Sequence, residues 1–268
     1  MPGATPNKTL ALSQSMFDNI SMAGDLDMVR ESGASAIALF ASSVRDAGAG
    51  QTVQLLRERQ LAVSSIHLGL KILEVDELEA DASLRDGISL AASVGAPVAA
   101  VSPGSKGNIS VAEADARYIR RLSRVAPLAR ELGVIMGIEP LHPFLDSRGY
   151  IHTIRHAARI ASSVENSGIV LDVVHLYWDG DLLEDIRKYV EQVALVQVSN
   201  LDGDALAQLR WSRARLDEGI VPVAEIVRAV DAAGYRGSYE SESFLELSHD
   251  ECIATACSAR LWFDGIWR

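Results

Sequence analysis

An α/β fold, closed as a single (β/α)8 TIM barrel, is what the sequence predicts, and three observations predict it. Strand-length apolar runs alternate with helical stretches eight times in 268 residues. Glycine follows four of the helical stretches, at Gly33, Gly95, Gly133 and Gly234, where a left-handed cap residue is wanted. Ser13 to Ser21 lacks the glycine-rich first turn that an open doubly wound sheet would carry. No linker, low-complexity tract or internal repeat interrupts the pattern, so residues 1–268 are expected to form one domain.

The strands are expected at 9–14, 36–40, 63–67, 97–101, 134–139, 169–174, 193–198 and 238–244. Their alternation with polar flanks, or their solid apolar character, suits strands buried on both faces. Helices are expected at 26–32, 51–60, 76–94, 111–132, 151–164, 181–189, 223–233 and 250–263. A longer polar loop runs from the seventh strand to Gly219.

Composition narrows the partners. Hydrophobic residues make up 48%, ordinary for a globular protein, and the net charge is -11 with a pI near 5.0. A basic face for nucleic acid is not expected, nor binding to an anionic membrane surface. Met1 to Lys8 has no signal pattern, and no apolar run approaches the ~20 residues of a membrane span. The expected location is cytoplasmic. Cys252 and Cys257 do not share a helical face and are expected to be reduced thiols. Leu261, Trp262, Phe263, Ile266 and Trp267 leave apolar surface for the barrel floor or for a second copy in a homo-oligomer.

Chemistry concentrates at the ends of the last four strands. Gly137-Ile138-Glu139-Pro140-Leu141-His142-Pro143 sets a carboxylate at the mouth of a buried strand, and two prolines stiffen the exit. Asp172, Gln197 and Glu242 occupy the corresponding places on the next three strands. The gaps are 172-139 = 33, 197-172 = 25 and 242-197 = 45, the last lengthened by the 201–219 loop. Three acids converging on one spot repel unless a cation holds them. All four donors are oxygens, which favours a hard ion, Mg2+ or Mn2+ with Co2+ as a third candidate, over tetrahedral zinc. The competing reading puts each acid in its own salt bridge with an arginine.

These segments resemble the sugar phosphate isomerase/epimerase-like family of the xylose-isomerase-like TIM-barrel superfamily. The resemblance extends over nearly the whole chain. Its other markers are Leu171-Asp172-Val173-Val174-His175-Leu176-Tyr177-Trp178, Val196-Gln197-Val198-Ser199-Asn200 and Tyr235-Arg236-Gly237 leading to Glu240-Ser241-Glu242. It implies one divalent metal on Glu139, Asp172, Gln197 and Glu242. Ketose 3-epimerases have His at the third ligand, where this chain has Gln197, and many relatives have Asp at the place of Asn200. Gln197, with Trp211-Ser212-Arg213, also resembles bacterial 3-dehydroshikimate dehydratases.

The expected activity is a metal-dependent isomerase or epimerase acting on a ketose, keto-sugar or related polyol ketone through a metal-bound enediolate. Glu139 and Glu242 would move the proton on opposite faces of the substrate, and His175 would donate to a substrate oxygen. His67, His142, Trp178 and Arg213 are the substrate-binding candidates. The alternatives are a lyase that uses the same enolate to expel a β-oxygen, and a sugar-binding barrel without turnover. Glu240 shares a face with Glu242 but lies deeper and is not expected to be a ligand. Ser102 to Gly107 is expected to be a plain loop rather than a phosphate cradle.

Overall fold

Parallel strands buried on both faces leave their edges unsatisfied unless the sheet closes, and here it closes. The computed structural model describes Lys8 and residues 10–17, 21–245 and 247–268. The barrel strands are β1 Leu10–Ser13, β2 Ala36–Phe40, β3 Ala62–His67, β4 Val98–Val101, β5 Ile135–Ile138, β6 Ser167–Asp172, β7 Val193–Val198 and β8 Ser238–Ser241. Each pairs in parallel with its sequence neighbours, and β1 pairs with β8 to complete a closed eight-stranded parallel barrel. The expected start of the first strand, Thr9, lies outside the described residues.

The outer ring carries α1 Met22–Glu31, α2 Ala41–Ala47, α3 Ala49–Arg59, α4 Glu77–Ser93, α5 Val111–Leu132, α6 Ile154–Ala161, α7 Val173–Leu176, α8 Leu182–Tyr189, α9 Gly203–Ala207, α10 Val223–Ala232 and α11 His249–Gly265. Gly33, Gly95, Gly133 and Gly234 all have positive φ, as the cap reading requires. Several boundaries moved for local reasons. The first helix begins at Met22 because the Ser21 hydroxyl accepts from the Gly24 N–H at 3.1 Å. The second helical segment is two helices, α2 and α3, divided at Gly48. Thr153 caps α6, so that helix starts later than expected.

Two corrections bear on the site. The sixth strand ends at Asp172 instead of running to Val174. The Asp172 carboxylate accepts from the Val174 N–H at 2.9 Å and starts the one-turn α7, which carries His175. The eighth strand ends at Ser241; Glu242 still donates its N–H to the Val198 carbonyl at 3.1 Å, but the chain then leaves the sheet and Phe244 is exposed.

Inside the barrel, Val98, Ala100, Val170 and Leu195 form a small apolar layer beneath the polar end. Most of the core lies between the strands and the helical ring. Phe263 and Ile266 are buried there; Trp267 packs edge-on to Tyr239 and Phe263, Phe263 lies tilted against Tyr239, and Leu261 stays exposed. Cys252 and Cys257 are free thiols. No helix among the described residues is long and apolar enough to cross a membrane.

Gly137 shows how tightly the interior closes below Glu139. A Cβ there would lie 2.6 Å from Val170 Cγ2 and 3.1 Å from Val98 Cγ1. Gly137→Ala is therefore expected to cost roughly 1–3 kcal/mol through overpacking. Urea denaturation followed by circular dichroism checks this; an unchanged midpoint would mean the apolar layer is looser than described.

Candidate active site

Strand alternation aims the polar groups. Val170 and Asp172, Leu195 and Gln197, Gly137 and Glu139, and Glu240 and Glu242 are pairs two residues apart, so each places its second member above the first. Register does the rest: Asp172 lies opposite Gln197, and Gln197 opposite Glu240. Asp172, Gln197 and Glu240 are fully buried, and Glu242 nearly so.

One strand breaks the alternation. The pairing of β2 with β3 runs Ile37 with Val63 and then Ala38 with Ser65, leaving Ser64 as an extra residue. This bulge lets Ser64 and His67, three apart, both reach the interior. The Ser64 hydroxyl donates to Glu240 Oε1 at 2.6 Å, and His67 Nε2 lies 3.9 Å from Glu240 Oε2 and 3.8 Å from Glu242 Oε1. Glu240 is thus held by Ser64 and by Gln197, not by an arginine.

Glu139, Asp172 and His175 each offer a ligand atom within 4.8 Å of the others, a cluster able to hold a metal ion. His175 Nε2 is 3.4 Å from Asp172 Oδ2 and 3.8 Å from Glu139 Oε1, because the turn of α7 brings positions three apart to one side. Glu242 reaches the same group through Arg213: Arg213 Nη2 is 3.3 Å from Asp172 Oδ2 and 3.5 Å from Glu242 Oε2. Arg213 was expected to bind substrate; the structure buries it among the acids.

Electrostatics follow from this crowding. Burial, then the charges of Glu242 and Asp172, raise the Glu139 carboxyl to about 8 against the pull of His67 and Arg213. Burial likewise raises Glu242. For His67, burial opposes the charged ring, but the hydrogen bond to Glu240 and the charges of Glu242, Glu240 and Glu139 outweigh it and raise the imidazole to about 9. His175 goes the other way: burial outweighs Asp172 and lowers it to about 3, so it is neutral.

Gln197 tests whether a cation fits. Its Nε2 donates to Glu240 Oε2 at 3.4 Å and to His67 Nε2 at 3.1 Å, and its Oε1 is buried with no partner among the described residues. Accepting that bond requires a neutral His67, whereas the surrounding acids favour the protonated ring. A divalent ion on the acids removes both conflicts: it offsets the charge that protonates His67 and gives Gln197 Oε1 a partner. The donor set therefore fits a divalent cation.

The cavity above these groups measures about 1010 Å3. Glu139, Glu242, His67, His175 and Arg213 line its inner end, and Arg45, Lys71 and Arg148 line it as well. Two aromatic walls face it. Trp211 stacks on His175 (5.5 Å, 16°) and on Phe144 (6.0 Å, 22°), and Phe40 stacks on Phe244 (6.4 Å, 25°). His142 and Trp178, expected at the substrate, are not among the lining residues. His142 packs behind Trp211 at 5.0 Å and its Nδ1 accepts from the Phe144 N–H; Trp178 donates from Nε1 to the His175 carbonyl. Lys106 bonds its own loop carbonyls, at Gly107 and Ile109, as a plain loop would. Phe40 and Ser64 are residues that sequence reasoning did not single out for the site, and Trp211 entered only as part of the Trp211-Ser212-Arg213 marker. Phe40 ends a strand, a position that could have flagged it.

Residues 26–256 match the xylose isomerase-like TIM barrel family. The chain belongs to that family. No curated protein sequence matches it. Among solved structures it is similar to a protein of Sinorhizobium meliloti 1021, at 23% identity over 94% of this chain and 96% of the other, TM-score 0.83. It is also similar to an IolI protein with a bound zinc atom (16%, 94% and 96%, 0.81). A third is a D-allulose 3-epimerase from Methylomonas sp. (16%, 97% and 98%, 0.79). At these identities the likeness carries the fold.

The raised carboxyl and imidazole make a pH prediction. Without a cation, Glu139 rises from 4.5 to about 8 and His67 from 6.5 to about 9 on folding. Each holds a proton in the folded state that the unfolded chain releases. Their stabilisation is present below 4.5 and 6.5 respectively and is lost as pH rises through about 8 and about 9. The melting temperature of chelator-treated protein should fall across that window in calorimetry, and Mn2+ should flatten the fall; a rise would contradict the assignment.

Proposed function

We propose that the chain is a divalent-metal-dependent isomerase or epimerase acting on a ketose, keto-sugar or related polyol ketone. The observation that carries this reading is the pair Glu139 and Glu242. Both carboxyls line the cavity, Glu242 buried and Glu139 partly so, and in the cation-free site burial and neighbouring charge raise the proton affinity of each, as suits groups that take up and return a proton. Asp172 and Gln197 have no such access; their role is to complete the cation's ligand set with the two glutamates. Bound there, Mn2+ or Mg2+, with Co2+ a third candidate, supplies Lewis-acid polarisation of a substrate carbonyl.

The chain's own residues do the rest. Glu139 and Glu242 remove a proton from the carbon beside the carbonyl and return one to the product. Neutral His175 presents a ring nitrogen at the cavity wall without adding charge, and Trp211 fixes its plane by stacking. His67, neutral once a cation holds the acids, accepts from Gln197 Nε2 and fixes the amide from the other side of the barrel. Phe40, Phe244 and Trp211 exclude water from the reacting end. The likeness to a D-allulose 3-epimerase supports a ketose. The nitrogen of His175 within the Glu139–Asp172 cluster, and the zinc of the IolI structure, make Zn2+ worth including in the metal panel.

One observation favours the lyase alternative. A cavity of about 1010 Å3 with two aromatic walls is at the upper end of the ~300–1,000 Å3 of small-molecule sites. It has room for a leaving group beyond a single sugar ring. Incubating a ketose panel in deuterated water with Mn2+ separates the readings. Deuterium wash-in with no loss of water supports the isomerase, and a new enone absorbance supports the lyase. Glu242→Gln is expected to lower wash-in roughly 100-fold or more and weaken Mn2+ binding while the fold persists. Wild-type exchange in that variant would overturn the assigned role.

A further inference from the structure

We propose that Arg213 is a built-in counter-ion of this site: its guanidinium holds Asp172 and Glu242 together when no cation is bound, and its charge limits how tightly a cation is held. The proposal rests on the reading of these acids as a cation site.

The placement is constructed from several sides. Asn200–Leu201 and Arg213–Ala214 form a two-residue antiparallel ladder, which folds the long loop back so that Arg213 returns to the strand ends. Asn200 fastens that loop: its Oδ1 accepts from the Leu201 and Val221 N–H groups at 3.0 and 2.8 Å, and its Nδ2 donates to the Leu216 carbonyl. Gly219 permits the crossing, since a Cβ there would lie 2.4 Å from the Leu201 carbonyl oxygen and its φ is +110°. The guanidinium is then gripped at both ends. Nη1 donates to Ser199 Oγ at 2.6 Å; Nη2 faces Asp172 Oδ2, Glu242 Oε2 and His175 Nε2 at 3.3, 3.5 and 3.4 Å. Trp211 and Phe244 present ring faces to it at 5.8 and 6.0 Å.

Charge then works in two directions. Asp172 and Glu242 would be costly to bury together, and Arg213 offsets that cost without any metal. A divalent ion bound by the same oxygens must sit a few ångströms from the guanidinium, and like charges at that range in a buried site repel strongly. The cation therefore binds against Arg213, and more weakly than the carboxylates alone would hold it. An exchangeable ion in place of a trapped one is the result, and the repulsion loosens the guanidinium from the acids.

Calorimetric titration of metal-stripped protein with Mn2+ tests this, with wild type compared to Arg213→Gln, Arg213→Lys and Ser199→Ala. Arg213→Gln should bind Mn2+ at least about tenfold more tightly, melt at a lower temperature without metal, and gain more from Mn2+ than wild type. Arg213→Lys keeps the charge and should stay close to wild type. Ser199→Ala releases one end of the guanidinium and should shift affinity the same way as Arg213→Gln, by less; it decides the matter if Arg213→Gln does not fold. Equal or weaker Mn2+ binding in the variants overturns the proposal while leaving the metal enzyme standing. Mn2+ binding by Arg213→Gln but not by wild type supports the proposal and sinks the metal-dependent function, with Arg213 as the cation's permanent substitute. No binding by either sinks both.

Discussion

Carboxylates crowded together away from water repel, and the upper end of this barrel collects four: Asp172, Glu240 and Glu242 are buried, and Glu139 is partly buried beside them. Every nearby feature answers that repulsion. Ser64 and Gln197 take the deepest acid by hydrogen bonding. His67 Nε2 sits between Glu240 and Glu242, 3.9 and 3.8 Å from their nearest oxygens. Arg213 spans Asp172 and Glu242. The acids cannot be moved apart, because strand register fixes Asp172 beside Gln197 and Gln197 beside Glu240. The layer beneath has little room to spare, since even a Cβ added at Gly137 would collide with Val170 and crowd Val98. Crowding these groups costs stability, and the large apolar core between strands and helices offsets it.

The barrel was legible in the sequence because its signals are local. Apolar runs of strand length, helical stretches and capping glycines each report on a few neighbouring residues, and all agree on one topology. The acids at 139, 172 and 242 were legible for a related reason: each lies at or near the C-terminal end of a strand-length segment, and the three recur on successive strand-helix units. The less visible features arise from non-local geometry. The bulge at Ser64 appears only when β3 is paired with β2, and without it Ser64 and His67 fall on opposite faces. Asp172 ends its strand by capping α7, so what reads as a continued apolar run, Val173-Val174, is the first turn of a helix. Arg213 reaches the acids only through a ladder formed with residues more than ten positions earlier. His142 and Trp178 were substrate-binding candidates because they follow site residues in sequence; in the structure His142 packs against Trp211, and Trp178 hydrogen-bonds the His175 carbonyl.

Gln197 connects the fold to the chemistry. A histidine at this place would bring a ring nitrogen; an amide brings a neutral oxygen on one side and an N–H donor on the other. The donor side is engaged by Glu240 and His67, which leaves the oxygen as the one buried polar atom of the site's amide with nothing to bind. An amide at this place also adds no charge to the carboxylates already gathered there.

The central claim is that the oxygens of Glu139, Asp172, Gln197 and Glu242 converge on one divalent cation. Anomalous diffraction from crystals grown with Mn2+ tests it most directly. The account predicts a single strong peak bounded by those four side chains, with Gln197 Oε1 turned toward it. A site with no peak, in which Arg213 still bridges Asp172 and Glu242 at saturating Mn2+, would contradict it.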